Sequence, residues 1–189
     1  AGRLLDVNPF DEPNVGQAKD ATQALLRDHI AGRAIAATSA LGEGGIGLTL
    51  SRAARERLNG AGAERFLDTL SHGDYFALLA YIEMNGAAEE SLQAMRHKVR
   101  GAFKVATCLG FGPRFLHSTG QAYKGGPNTG VVLQITCEDA ADVPVPGQKY
   151  TFGVVKAAQA RGDFDVLAER GRRALRVHIG PDVAAGLAS

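Results

Sequence analysis

Two cysteines, Cys108 and Cys137, are too few for a disulfide framework in a chain of 189 residues. Each sits in an apolar run, where a thiol packs as a small hydrophobe. No stretch of about 18 consecutive apolar residues occurs, which excludes an ordinary membrane-crossing helix, and no leader is read at the start. The expected compartment is the cytoplasm. Lysine and arginine (21) nearly balance aspartate and glutamate (20), a net charge of +1. Nothing of one sign is in surplus to draw the chain to nucleic acid or to an anionic membrane, and neither partner is expected. His29, His72, His97 and His178 have no paired spacing and no cysteine partner, so no metal site is expected. A Gly-Lys-Ser/Thr phosphate loop is missing. Gly42-x-Gly44-x-x-Gly47 matches the dinucleotide fingerprint, but Leu48-Thr49-Leu50 is a poor start for the helix that must follow it. Neither a nucleotide nor any other cofactor is expected.

Aromatics make up only 6% of the chain, while glycine (24 residues) and alanine are plentiful, a composition suited to close helix-to-sheet packing. The length allows one domain or slightly more. Near the start, Leu4-Leu5-Asp6-Val7 reads as the end of a buried strand. A loop follows, Asn8-Pro9-Phe10-Asp11-Glu12-Pro13, whose prolines fix their own backbone angles and push Asn8 and Glu12 toward extended conformations. A helix is then predicted over residues 14–29, with Asn14 as its cap, Leu25, Leu26 and Ile30 on its apolar face and Gly32 as its terminator. Strand, rigid loop, helix is the order in which α/β proteins build ligand sites at strand carboxyl ends.

Residues 1–32 therefore read as the last strand, loop and helix of one domain, and residues 33–189 as a separate α/β module. After an apolar run at 34–38 and a glycine-rich turn at 42–47, short helices are predicted at 51–58 and 63–70. Strands are predicted at 75–82, at 105–111 with 115–117, at 131–137 and at 175–179. Helices are predicted at 89–103, where Leu92, Met95, Val99 and Phe103 recur every three or four residues, at 150–160, and as a shorter turn at 164–170. The order is βαββαβ, which fits an α/β sandwich, either ferredoxin-like or a degenerate doubly wound sheet.

The opening motif, with Lys19 on the helix after it, resembles the C-terminal end of phosphoglucose isomerases, where a strand and an Asn-Pro-Phe-Asp-like loop lead to a helix carrying the catalytic lysine. A second stretch extends the likeness. Gly112-Pro113-Arg114-Phe115-Leu116-His117-Ser118-Thr119-Gly120-Gln121-Ala122-Tyr123-Lys124-Gly125-Gly126-Pro127-Asn128-Thr129-Gly130, with the apolar strand after it, is similar to the extra C-terminal module of polypeptides that fuse transaldolase to glucose-6-phosphate isomerase. The resemblance implies the end of a sugar-isomerase (SIS-like) domain followed by that module. It also implies a sugar-phosphate substrate, with upstream isomerase and transaldolase domains in the same polypeptide. It leaves a homo-oligomer open. Lacking room for those domains, the chain reads as the C-terminal part of a larger enzyme.

Moving a proton between C1 and C2 of a sugar phosphate needs a base, and cations that stabilise the enediolate oxygens and assist ring opening. By the resemblance, Lys19 is the catalytic cation, while the base and the phosphate loop lie upstream of this chain. Asp11 and Glu12 fit a capping role at the helix mouth. From residue 117 to 129 a polar loop offers His117, Ser118, Thr119, Gln121 and Lys124 with glycine-exposed backbone N–H groups, a kit for sugar hydroxyls, a phosphate or a neighbouring domain. Glu83, at a strand end, reads as a solvated side chain, and the run Arg172, Arg173 and Arg176 as a solvated edge or an interface ion pair. The competing class is a non-catalytic interaction or sugar-phosphate-sensing module.

Overall fold

Strands β2 (Tyr75–Tyr81) and β4 (Gly130–Cys137) are nearly continuous apolar runs, and almost every residue in them is buried. Strands buried on both faces belong inside a parallel sheet with helices on each side. The computed structural model, which describes residues 2–6, 8, 10–11, 13–33, 45–117 and 119–188, places them there. The five-stranded sheet has the order β1-β5-β4-β2-β3, with β1 at Ile46–Leu50, β3 at Ala106–Phe111 and β5 at Arg173–Ile179. Strands β2 to β5 run parallel, and β1 pairs antiparallel with β5 at the edge.

Alternation along β2 divides the core. Phe76, Leu78, Ala80 and Ile82 join one cluster with Leu92 and Val99 of α4 (Gly86–Phe103); Ala77, Leu79 and Tyr81 join the other with Ala160, Phe164 and Leu167 of α6 (Phe152–Glu169). Side chains fix the helix starts. Asn85 accepts from the Ala88 N–H at 2.9 Å to cap α4, Thr151 accepts from Val154 to cap α6, and Ser51 caps α3 (Arg52–Leu58). From β2 the chain crosses to β3 on one side and then returns to β4 on the other, so the order reverses between β2 and β4. Ligands of open α/β sheets bind outside the carboxyl ends of the strands at such a switch point.

Several expectations are corrected. Residues Gly2–Leu5 form a short helix, α1, rather than a strand, and Leu4 is 91% exposed. Without a neighbouring strand to pair with, two leucines do not make a sheet. Helix α2 spans Pro13–Ile30, so Asn14 lies inside it rather than capping it; proline suits a first turn, where its missing N–H has no partner to lose. Residues Arg114–His117 form a 3-10 turn, not strand, and Gly120–Gly125 form helix α5. The module is therefore β-α-β-α-β-α-β from β2 onward, and the ferredoxin-like arrangement, which requires antiparallel neighbours, is replaced by a mixed α/β sheet. Helix α6 is one continuous element. The apolar run at 34–38 and most of the glycine-rich turn lie outside the described residues, and Gly47 lies within β1 rather than opening a helix.

Helix α2 packs along α6 and α5. Its Val15 and Ala18 are buried. Contact is close because α6 carries Gly162 where the helices meet. A Cβ there would lie 3.2 Å from the Thr22 backbone nitrogen and 3.4 Å from the Ala18 oxygen.

Candidate functional site

Lys124 is the residue around which the candidate site is built. It stands on the last turn of α5 and is 1% exposed. The chain beyond it is held by Arg172, just before β5. The Arg172 guanidinium donates to the carbonyls of Tyr123 (3.0 Å), Lys124 (2.8 Å) and Gly126, and to Asn128 Oδ1 (3.1 Å). Asn128 in turn donates to the Gly171 carbonyl at 3.0 Å. A planar fork of fixed donors suits this task, gathering the C-terminal carbonyls of a short helix onto one side chain. Arg172 is thus 3% exposed and Arg176 2% exposed, so of the two expectations for this run the solvated edge does not hold for them. Arg173 pairs with Asp74 at 2.8 Å and donates to the Thr69 carbonyl.

The Lys124 ammonium forms an ion pair with Asp163 of α6, whose side chain is equally buried. The Tyr81 hydroxyl lies beside the same carboxylate. Close approach of Gly112 makes room for that tyrosine, since a Cβ at Gly112 would lie 2.7 Å from the Tyr81 ring. Phe115 packs edge-on against Tyr81, with ring centres 5.4 Å apart. A second buried cation completes the cluster. Arg176 stacks over the Phe164 ring at 4.4 Å and donates from Nε to Gln134 Oε1 at 2.8 Å, while Gln134 donates to the Ala160 carbonyl. Burial pushes the Asp163 carboxyl above its usual range even though Lys124 opposes the shift. Burial, aided by Asp163, holds the Tyr81 phenol well above 10. Burial also lowers Arg176 to about 10. Lys124 is thus paired with Asp163, while the charge of Arg176 is opposed by Asp165 and, more weakly, by Asp163.

A cavity of about 250 Å³ opens between α2, α5 and α6. Lys19, Thr22, Gln23 and Leu26 line it from α2, Leu116 and Lys124 from the second motif, and Val155 and Gln159 from α6. The structure thus brings together two of the sequence-predicted site residues, Lys19 and Lys124. Lys19 is exposed at the rim; Lys124 is buried at the wall. Of the others, Thr119 is exposed just before α5 and Gln121 is half-buried on it. Ser118 and the His117 side chain lie outside the described residues. Glu83 is exposed beyond β2, apart from this cavity's lining. The loop ahead of α2 is organised by Asn8, whose Oδ1 accepts from the Phe10 N–H and whose Nδ2 donates to Asp11 at 2.9 Å.

Asp163, Tyr81, Gln134, Arg172 and Arg176 were not singled out as site residues from sequence. A signal existed: Asp163 stands three residues after Ala160, beside Phe164 and four before Leu167, a charge on the apolar stripe of a helix. Among the described residues, no group of three or more His, Cys, Asp or Glu side chains is placed to hold a metal ion. No described helix is long and apolar enough to cross a membrane.

The architecture defines a mixed α/β protein with a largely parallel sheet. No family model and no curated protein matches the sequence. The fold is similar to the crystal structure of a hypothetical protein from Thermus thermophilus, with a TM-score of 0.50, 19% sequence identity, and coverage of 72% of this chain and 39% of that one. The chain thus spans about two fifths of that protein's length, and the likeness is one of fold.

Proposed function

We propose that this chain is the C-terminal part of an aldose–ketose isomerase that interconverts glucose 6-phosphate and fructose 6-phosphate, within a polypeptide that also carries a transaldolase. Lys19 is the resident catalytic residue. It lines a cavity from α2, and its ammonium is the group that would meet an oxygen gaining negative charge as the enediolate forms. The proton transfer itself needs a carboxylate base from upstream sequence, as does the phosphate loop. In this reading residues 1–32 close a sugar-isomerase domain, the enzyme works in the cytoplasm, and the chemistry is carried by side chains.

The observation that supports the reading is the meeting of its two motifs. Lys19 of the opening stretch and Leu116 and Lys124 of the second stretch, more than ninety positions apart, line one cavity. The test is turnover of glucose 6-phosphate by the intact parent polypeptide. Lys19→Ala should lower it by about 100-fold or more while leaving the far-UV spectrum unchanged. Unchanged turnover would remove the reading. A sugar-phosphate-sensing module would then take its place, a role favoured by the fact that the cavity's described lining comes wholly from this chain.

A further inference from the structure

We infer that the outer edge of β3 is a self-association surface, on which a second copy of this chain pairs antiparallel across a two-fold axis at Leu109. The inference stands on the backbone of the edge strand, and holds whether or not the isomerase reading does.

β3 closes one side of the sheet and pairs with β2 alone. Phe111 stands opposite Ala80, yet the Ala80 carbonyl accepts from the next residue, Gly112, at 2.8 Å. In a parallel ladder a residue bonds to the positions flanking its opposite number, so Phe111 itself turns its N–H and C=O away from β2. Alternation places Leu109 and Thr107 in the same outward row. Among the described residues one group reaches that row, Arg96 of α4, which donates to the Thr107 carbonyl at 3.3 Å. The outward backbone groups of Leu109 and Phe111 make no bond there. An exposed edge is usually blunted by a charged side chain, a proline or a bulge. Ala106–Phe111 holds no charged residue and no proline, and its register with β2 is unbroken. Leu109 and Phe111 pack against the α4 side of the core and are only half-buried.

The row selects a second copy as its occupant. Its length is fixed: the next outward position is Pro113, which has no N–H, and at the other end Lys104 turns the chain at a φ of 55°. Leu109 is therefore the centre of the row Thr107, Leu109, Phe111. A two-fold axis at Leu109 sets it opposite Leu109 of the second copy and sets Thr107 opposite that copy's Phe111, each pair exchanging N–H and C=O. Every open group then finds a match, and any other register leaves some of them unpaired. Apolar side chains meet on the α4 face, and the strands bring no like charges opposite each other. A peptide laid on the same edge would present a new open edge of its own, whereas two copies close each other's.

The test is sedimentation velocity on the 189-residue chain over a concentration series, with circular dichroism to confirm the fold of each variant. A reversible dimer is expected. Leu109→Lys and Leu109→Glu each set like charges directly opposite across the axis, and each should weaken dimerisation by about tenfold or more. An equimolar mixture of the two sets lysine opposite glutamate and should recover a dimer that neither forms alone. That rescue is specific to a register in which residue 109 meets itself. Thr107→Pro deletes an outward N–H and breaks no bond to β2, so it should weaken the dimer by a route that does not depend on either charged variant folding. A chain that stays monomeric at every concentration would hand the edge to an extended segment of some other protein and overturn the inference. A dimer indifferent to Leu109→Lys and Thr107→Pro, or a mixture of folded charge variants that stays monomeric, would overturn it as well.

Discussion

Removing Lys124 alone should cost this protein a large part of its stability. In Lys124→Met the Asp163 carboxylate stays where it is, 1% exposed, without its ion-pair partner. Breaking a buried pair by deleting one member costs about 3–5 kcal/mol, against a total stability of about 5–15 kcal/mol for a typical domain. At roughly 2–4 °C per kcal/mol for a chain of this size, the melting temperature should fall by roughly 6–20 °C. The stranded carboxylate can escape by taking a proton, because its pKa is already raised by burial and loses the Lys124 charge that opposed the rise. The sign follows: the deficit is largest at about pH 8 and shrinks as pH falls toward the ordinary carboxylate range. Replacing both residues, as Lys124→Met with Asp163→Asn, should recover all but about 1–2 kcal/mol, since apolar or neutral replacement of a whole pair is nearly neutral. Urea denaturation followed by circular dichroism measures all three proteins. A single variant within about 1 kcal/mol of the wild type, or a double variant no more stable than the single, would refute the reasoning.

Three further outcomes follow from the packing. Arg172→Lys keeps the charge but loses the fork, so it should cost about 2–4 kcal/mol and expose residues 125–129 to limited proteolysis, read by the cleavage site. Gly162→Ala places a methyl group against the α2 backbone at 3.2 Å and should destabilise by about 1–3 kcal/mol, with faster amide exchange in α2 before α6. Burial pushes the Asp74 carboxyl up, but hydrogen bonds from Arg173 and from the Ser71 N–H outweigh it and hold the pKa below its usual value. A depressed carboxylate gives stability that is present above the unfolded value of about 4 and is lost as pH falls through the folded one. Asp74→Asn should therefore flatten the acid limb of the stability profile, measured by denaturation at stepped pH.

Sequence pattern located most of the sheet because the physics there is local. β2 and β4 are runs of apolar residues too continuous for anything but a doubly covered strand, and α4 announces itself through Leu92, Met95, Val99 and Phe103, though its first turn and Asn85 cap lie ahead of that pattern. Helix α5 was not legible. Six residues rich in glycine and polar groups have little helix signal of their own, and their shape is imposed by Arg172 from 48 positions away. For the same reason the pattern around Lys124 reads as a polar loop, when burial and Asp163 make this lysine part of the interior. Leu4 and Leu5 looked strand-like because apolar residues carry no record of whether a partner strand exists. Strand direction was equally hidden, since it depends on whether the 117–129 segment is a loop or a crossover.

The Arg172 clamp also sets an order of assembly. A ribosome delivers β2, α4, β3, α5 and β4 before Arg172 leaves it, so the centre of the sheet can form while the end of α5 has nothing to gather its carbonyls. Only when β5 docks beside β4 does the guanidinium reach Tyr123, Lys124 and Gly126. Long-range closure of this kind is slow compared with helix formation. The cavity wall that carries Lys124 is consequently among the last parts of the molecule to be completed, and a nascent chain stopped short of Arg172 would possess a core but no site.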